Sequence, residues 1–330
     1  MSFWDQLKKP IMTLAPMADV TDPAFRYIIA KYGKPDVMWT EFVSADGLFK
    51  GGYDVLIKDL AFDESERPIV AQFFTSSLEM MEKAGRLANE LGFDGVDINI
   101  GCPDKSVEKQ GAGAALIKNP KLAQELILSA KRGAGDLPVS VKTRIGYNKN
   151  ELETWLPTLL EAEPAVITIH ARTRKEMSLV PARWEHVKRA VKIRNAFVNS
   201  NGKKSKTLIF GNGDLIDIED ARRKCLENRC DGAMLGRAIF GNPWLFSESK
   251  LPINVEEKLK ILIEHTKLFE EMLPHKNFSI MKKHFKAYVT GFDVHLSGWS
   301  AKELRIKLME TNNSLDVEKV IEKYIKKIDD

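Results

Sequence analysis

Short apolar runs alternate through residues 10–245 with longer stretches whose apolar positions recur at helical spacing. The short runs predict β-strands over 11–15 (IMTLA), 37–42 (VMWTEF), 69–73 (IVAQF) and 95–100 (GVDINI). Four more follow over 138–142, 166–170, 207–211 and 232–235. Several are apolar almost throughout, as strands covered on both faces must be. Between them, 77–91 places Leu78, Met81, Ala84, Leu87, Ala88 and Leu91 on one helical face, and 119–132 opens on Asn-Pro, a helix start. Eight strand–helix alternations predict an α/β fold, a (β/α)8 TIM barrel. A doubly wound sheet is the rival, but it usually carries a glycine fingerprint after its first strand, where this chain has Pro16-Met17-Ala18-Asp19.

The pattern changes after Pro243-Trp244-Leu245-Phe246. Beyond it β-branched runs vanish and helical spacing dominates, over 254–272, 278–290, 300–310 and 316–327. This divides the chain into a barrel domain, 1–247, and a small all-helical domain, 248–330. The segment 199–206 (NSNGKKSK) reads as a mobile polar loop. Composition adds limits. At 44% hydrophobic and 29% charged residues the chain buries a large core, which excludes disorder. A net charge of +4 permits a nucleic-acid partner without arguing for one. Three cysteines exclude a disulfide framework, and Cys225 and Cys230 have the wrong spacing for a metal or redox knuckle. No apolar run approaches the ~18 residues of a membrane span, and the N-terminus has no signal-peptide core, so a cytoplasmic protein without a metal is expected.

A barrel of this kind works at the C-terminal ends of its strands. Those ends carry Pro16, Met17 and Ala18 after the first strand, Gln72 on the third, and Asn99-Ile100-Gly101-Cys102-Pro103 on the fourth. The later strands end in Lys142-Thr143-Arg144, His170-Ala171-Arg172, Asn212-Gly213-Asp214 and Gly236-Arg237. The two glycine turns follow the strands where barrels commonly bind phosphate, through N–H groups that glycine lets approach. Taken alone they are also ordinary tight turns. A lysine aimed into the mouth needs an anion or an electron-rich acceptor; the alternative is a surface lysine. The Cys102 thiol can donate a proton or act as a nucleophile, or it is buried and inert. No HExxH, P-loop or GxSxG is present. A phosphate cradle, a central lysine, an amide and a thiol together suit a flavin mononucleotide reductase.

At LAPMADVTDPAFR (14–26), DGVDINIGCPDKSVEKQGAGAAL (94–116), VSVKTRIGYN (139–148), ITIHARTR (167–174), IFGNGDLIDIEDA (209–221) and DGAMLGRAIFGNPWLF (231–246), the chain resembles the tRNA-dihydrouridine synthase family. The stretch MKKHFKAYVTGF…AKELR (281–305) is similar to the bacterial B-type branch, so the likeness spans nearly the whole chain. The resemblance implies a barrel holding noncovalent FMN, reduced by NADPH, and a helical domain that helps to grip tRNA. The reduced cofactor passes hydride to C6 of a target uridine, and a cysteine, here Cys102, protonates C5 to give 5,6-dihydrouridine. Pro16, Met17, Ala18, Gln72, Lys142, Asn212, Gly213, Asp214, Gly236 and Arg237 carry over as FMN contacts, with His170 on the flavin or phosphate side. Asn99 and Arg144 carry over as uridine contacts. Asp19 stands where glycine is frequent, and Phe74-Thr75 where a Leu-Phe-Gly turn is common; 199–206 and 294–299 look like insertions.

Lys276, Lys282, Lys283, His284 and Lys286, interleaved with Phe278, Phe285 and Tyr288, form the basic cluster expected to meet tRNA phosphates. A thiol that is mostly protonated near neutral pH suits proton delivery, and a cation beside an anionic flavin suits Lys142. The chain is expected to work as a monomer. The alternatives are an FMN barrel acting on a free pyrimidine or other small molecule, and a non-catalytic RNA-binding barrel.

Overall fold

The computed structural model describes residues 2–247, 254–290 and 300–329. Eight parallel strands follow in chain order: β1 (Ile11–Leu14), β2 (Met38–Ser44), β3 (Ile69–Phe74), β4 (Gly95–Ile100), β5 (Val139–Arg144), β6 (Val166–His170), β7 (Leu208–Asn212) and β8 (Gly232–Leu235). Their hydrogen-bonded order is β1-β8-β7-β6-β5-β4-β3-β2. A parallel bridge between Thr13 and Val37 sets β1 beside β2 and closes the ring. All eight expected strands are present, and the barrel replaces the doubly wound alternative. Two strands run further than their apolar run: β2 reaches Ser44 and β5 reaches Arg144. Ladder pairing, such as Ser44 with Phe74 and Arg144 with His170, carries the polar ends along.

The lumen is filled in two halves. At the N-terminal ends of the strands, Trp4 plugs the ring between Trp39 and Phe210, at centroid distances of 6.0 and 5.8 Å. Ile11, Val37, Val70 and Val166 complete that apolar floor. Two residues further along the strands the same inward face turns polar, with Gln72, Asp97, Ser140 and Thr168 all buried. Outside the ring, helices Leu78–Glu90 and Pro120–Ala134 approach closely through Gly85 and Gly133. A Cβ on Gly133 would lie 1.9 Å from the Glu82 carbonyl oxygen, so a side chain there would force the helices apart.

The helical region contains helices Val255–Met272, Lys282–Tyr288, Ala301–Glu310 and Ser314–Asp329. The expected single helix over 278–290 divides into a 3-10 turn, Phe278–Met281, and the helix that follows it. This region docks on the barrel helix Pro23–Gly33. Phe25 stacks on His265 at 4.8 Å and meets His284 edge-on at 4.6 Å. Glu264 accepts from Lys31 and from the Tyr32 hydroxyl, each at 2.6 Å. The expected boundary at 247/248 and the 294–299 insertion adjoin or fall within segments outside the described residues. The 199–206 segment is a hydrogen-bonded turn: Val198 pairs with Lys204, and Asn199 Oδ1 accepts from the N–H groups of Asn201 and Lys203.

Candidate active site

The C-terminal ends of the strands surround a cavity of about 240 Å3. Pro16, Met17, Lys142, His170, Asn212, Gly213, Asp214, Gly236 and Arg237 all line it, although they come from five strands. Two expected members stand apart: Ala18 is exposed on the loop after β1, and Gln72 is buried in the lumen. A larger hollow, about 840 Å3, lies at the opposite end of the barrel near Trp4 and Leu208, away from these groups.

One side of the cavity is built to receive an anion. Gly213 has φ +119 and Asp214 φ +49, so the turn after β7 is left-handed, and glycine is the residue that tolerates this. The N–H groups of Gly213, Asp214 and Arg237 have no acceptor among the described residues. At Gly236 a Cβ would meet only Ala15 and the Met17 sulfur, each at 3.6 Å, which leaves an open backbone face. The Asp214 carboxylate is already engaged, accepting from Arg172, from Arg237 at 2.7 Å and from the Ala182 N–H at 2.8 Å. What Asp214 offers a ligand is therefore its N–H, while its carboxylate aims two guanidinium groups. Sequence reasoning passed over Arg172, whose signal was the His170-Ala171-Arg172 strand end. Its Nη1 lies 3.2 Å from His170 Nε2. Arginine only donates, so Nε2 accepts and the imidazole proton sits on Nδ1. Burial, then Arg144 and Lys142, hold His170 well below its usual pKa, so it is neutral.

Lys142 has no hydrogen-bond or ion-pair partner among the described residues. Burial is the largest influence on it, and with the nearby Arg144 it brings the ammonium pKa down to about 8 against the opposing pull of Asp97. A cation held like this gains from any anion placed in the cavity.

Cys102 lies on the adjoining loop and is half-buried. Desolvation raises its pKa, so the thiol keeps its proton at neutral pH. Asn99 shapes this loop: its Oδ1 accepts from the N–H groups of Gly101 at 3.1 Å and Cys102 at 2.9 Å. Arg144 clamps the loop from the side, donating to the Gly101 carbonyl at 2.8 Å and to Thr173 at 3.2 Å. Both residues stand at the mouth, with most of their polar atoms used in building it.

The basic cluster of the helical region is smaller than its sequence suggests. His284 is 0% exposed and packed among Phe25, Phe240 and His265, so it belongs to the core rather than to a phosphate-binding face. Its place follows from helical spacing, which puts it on the same inward side as Phe285 and Tyr288. Lys276 is tied to Glu41 at 3.1 Å and to Asp59 at 2.8 Å. Lys283 and Lys286 are exposed and Lys282 is half-buried; Lys283 reaches Asp19 at 3.1 Å.

A family model described as Dihydrouridine synthase (Dus) matches residues 13–327. The chain is 37% identical over 330 residues to the probable tRNA-dihydrouridine synthase 2 of Bacillus subtilis (strain 168), covering 99% of this chain and 97% of that protein. It is 35% identical to a probable tRNA-dihydrouridine synthase of Staphylococcus aureus (strain MRSA252), covering 100% and 97%. A solved structure of morphinone reductase superposes with a TM-score of 0.51 at 12% identity, over 71% of this chain and 84% of that one, a likeness of fold alone.

Proposed function

This chain belongs to the dihydrouridine synthase family, and on that premise we propose how its barrel mouth reduces the C5=C6 bond of uridine in tRNA. The observation that carries the reading is the meeting, at one mouth, of a thiol that keeps its proton, a lysine without an ion pair among the described residues and a glycine cradle whose N–H groups have no acceptor there. The relatives do not favour the small-molecule alternative.

The residues fit a flavin mononucleotide. The N–H groups of Gly213, Asp214 and Arg237, with Arg172 and Arg237 beside them, suit a single phosphate. Lys142 suits the electron-rich end of the ring system, and Pro16 and Met17 an apolar edge. Bound and reduced, with NADPH as its reductant, the flavin would supply a hydride to C6 of the uridine. The chain's own part is to orient and to move a proton. Hydride addition at C6 leaves negative charge delocalised from C5 onto the C4 carbonyl, and the Cys102 thiol delivers its proton to C5. Its raised pKa keeps that proton available until it is needed. Arg144 and the neutral His170 hold the neighbouring loops in place. A uridine already loose in a tRNA loop enters at the smallest unstacking cost. Lys282, Lys283 and Lys286 meet the tRNA backbone, and we take the enzyme to be cytoplasmic and monomeric.

The test uses purified full-length protein with tRNA lacking the modification. We expect bound FMN, and NADPH-dependent dihydrouridine in tRNA but not in free uridine. Lys283→Glu with Lys286→Glu should weaken tRNA binding and flatten its salt dependence while flavin content holds. Equal activity on free uridine, with tRNA affinity untouched by the double change, would overturn the reading.

A further inference from the structure

The loop that carries Cys102 rests on a buried support extending well below it. The N–H groups of Gly101 and Cys102 donate to Asn99 Oδ1. Asn99 Nδ2 donates to Gln72 Oε1 at 3.1 Å, and Gln72 Nε2 donates to Asp97 Oδ2 at 2.6 Å. The other Asp97 oxygen accepts from the Ser140 hydroxyl. Strand register builds this chain, for Gln72 lies opposite Asp97 and Asp97 opposite Ser140. Asp97 is 1% exposed and Gln72 0%.

Every donor in the chain points toward Asp97. A carboxamide can face either way, but here neither amide has a choice. Backbone N–H groups only donate, so Asn99 turns its oxygen to the loop and its nitrogen to Gln72. An ionised carboxylate only accepts, so Gln72 turns its nitrogen to Asp97. The two fixed ends agree, and the sense of both amides is set twice over. Without the carboxylate, Gln72 Nε2 is buried and unpaired, which is destabilising and removes the reason for that sense. A flipped Asn99 would set its NH2 against two backbone N–H groups, and the loop would lose both bonds.

We propose that Asp97 is a positioning residue for Cys102: through the fixed amides of Gln72 and Asn99 it holds the thiol-bearing loop in its reactive place. The catalytic consequence rests on the reading of Cys102 as the proton donor; the ordering of the loop does not.

The experiment compares full-length Asp97→Ala, Gln72→Leu, the double variant and Asp97→Asn with wild type. Two quantities are read: the rate at which iodoacetamide labels Cys102, located by peptide mass, and the single-turnover rate of pre-reduced protein with tRNA. Cys225 and Cys230 are buried and serve as internal references. Asp97→Ala should label Cys102 several-fold faster without changing the reference thiols, and should slow turnover by roughly 10²-fold, the scale of a misplaced reacting group. The double variant should be no worse than either single one, because the residues act in series. Asp97→Asn can still offer an oxygen to Gln72 while Ser140 accepts from its NH2, so it should recover both quantities. If Asp97→Ala does not fold, Gln72→Leu and Asp97→Asn decide the matter by the same contrast. Unchanged Cys102 labelling, or additive losses in the double variant, would overturn the proposal. If Cys102→Ala itself still forms dihydrouridine, the proton-donor reading fails, and the labelling contrast still decides whether Asp97 orders the loop.

Discussion

Single residues at this mouth owe their chemistry to what surrounds them. Lys142 is the clearest case, a cation drawn down to about 8 because burial and Arg144 outweigh the pull of Asp97, and no anion pairs with it among the described residues. A reduced, anionic flavin would supply that anion. Lys142→Ala should therefore weaken the reduced cofactor more than the oxidised one and lower the reduction potential, as measured by redox titration of the bound flavin. An unchanged potential would make the lysine a scaffold residue. The positions of Lys142 near the end of β5 and of Cys102 on the loop after β4 are legible in the sequence, because each follows a largely apolar run. The sequence does not mark the roles of Asp97 and Arg172, for a physical reason. Their work is done on other protein groups through register and loop geometry, which sequence spacing along one strand does not display.

Elements were more legible than their cooperation. Alternating short and long periodicities located all eight strands, since strands covered on both faces are largely apolar. The turn after β7 shows what such periodicity leaves out. Its role depends on Gly213 at φ +119, where a Cβ would also meet the Ala182 Cβ at 2.9 Å. Gly213→Val should strain this turn by about 1–3 kcal/mol and close the N–H cradle. The expected product is folded but colourless protein, checked by circular dichroism and flavin absorbance. Full flavin occupancy would place the phosphate elsewhere. The helix Lys282–Tyr288 taught the opposite lesson: its charges suggested one basic face, but three-to-four-residue spacing sends His284 inward.

At the scale of the whole molecule, the junction between barrel and helical region is closed by aromatic packing that includes two neutral histidines. Burial, with Lys283 nearby, lowers His284 to about 3, and burial with His284 lowers His265 well below its usual value. Both must lose their protons to be buried, while the unfolded chain binds them below about pH 6.5. Their stabilising effect is thus complete above that pH and falls as the pH drops below it; for His284 the fall continues toward pH 3, at about 1.4 kcal/mol per pH unit. His284→Phe should flatten this acid loss, measured as denaturation midpoint against pH; an unchanged slope would assign it to other groups. On the proposed reading, the junction would also set how tRNA lies across the mouth that carries Cys102. The most direct test of proton delivery there is single-turnover mixing of pre-reduced protein with tRNA, followed at the flavin band and by product analysis. Cys102→Ala should retain its flavin and its reduction by NADPH, yet form dihydrouridine about 10²–10⁴-fold more slowly than wild type. Dihydrouridine formed by Cys102→Ala at the wild-type rate would contradict it.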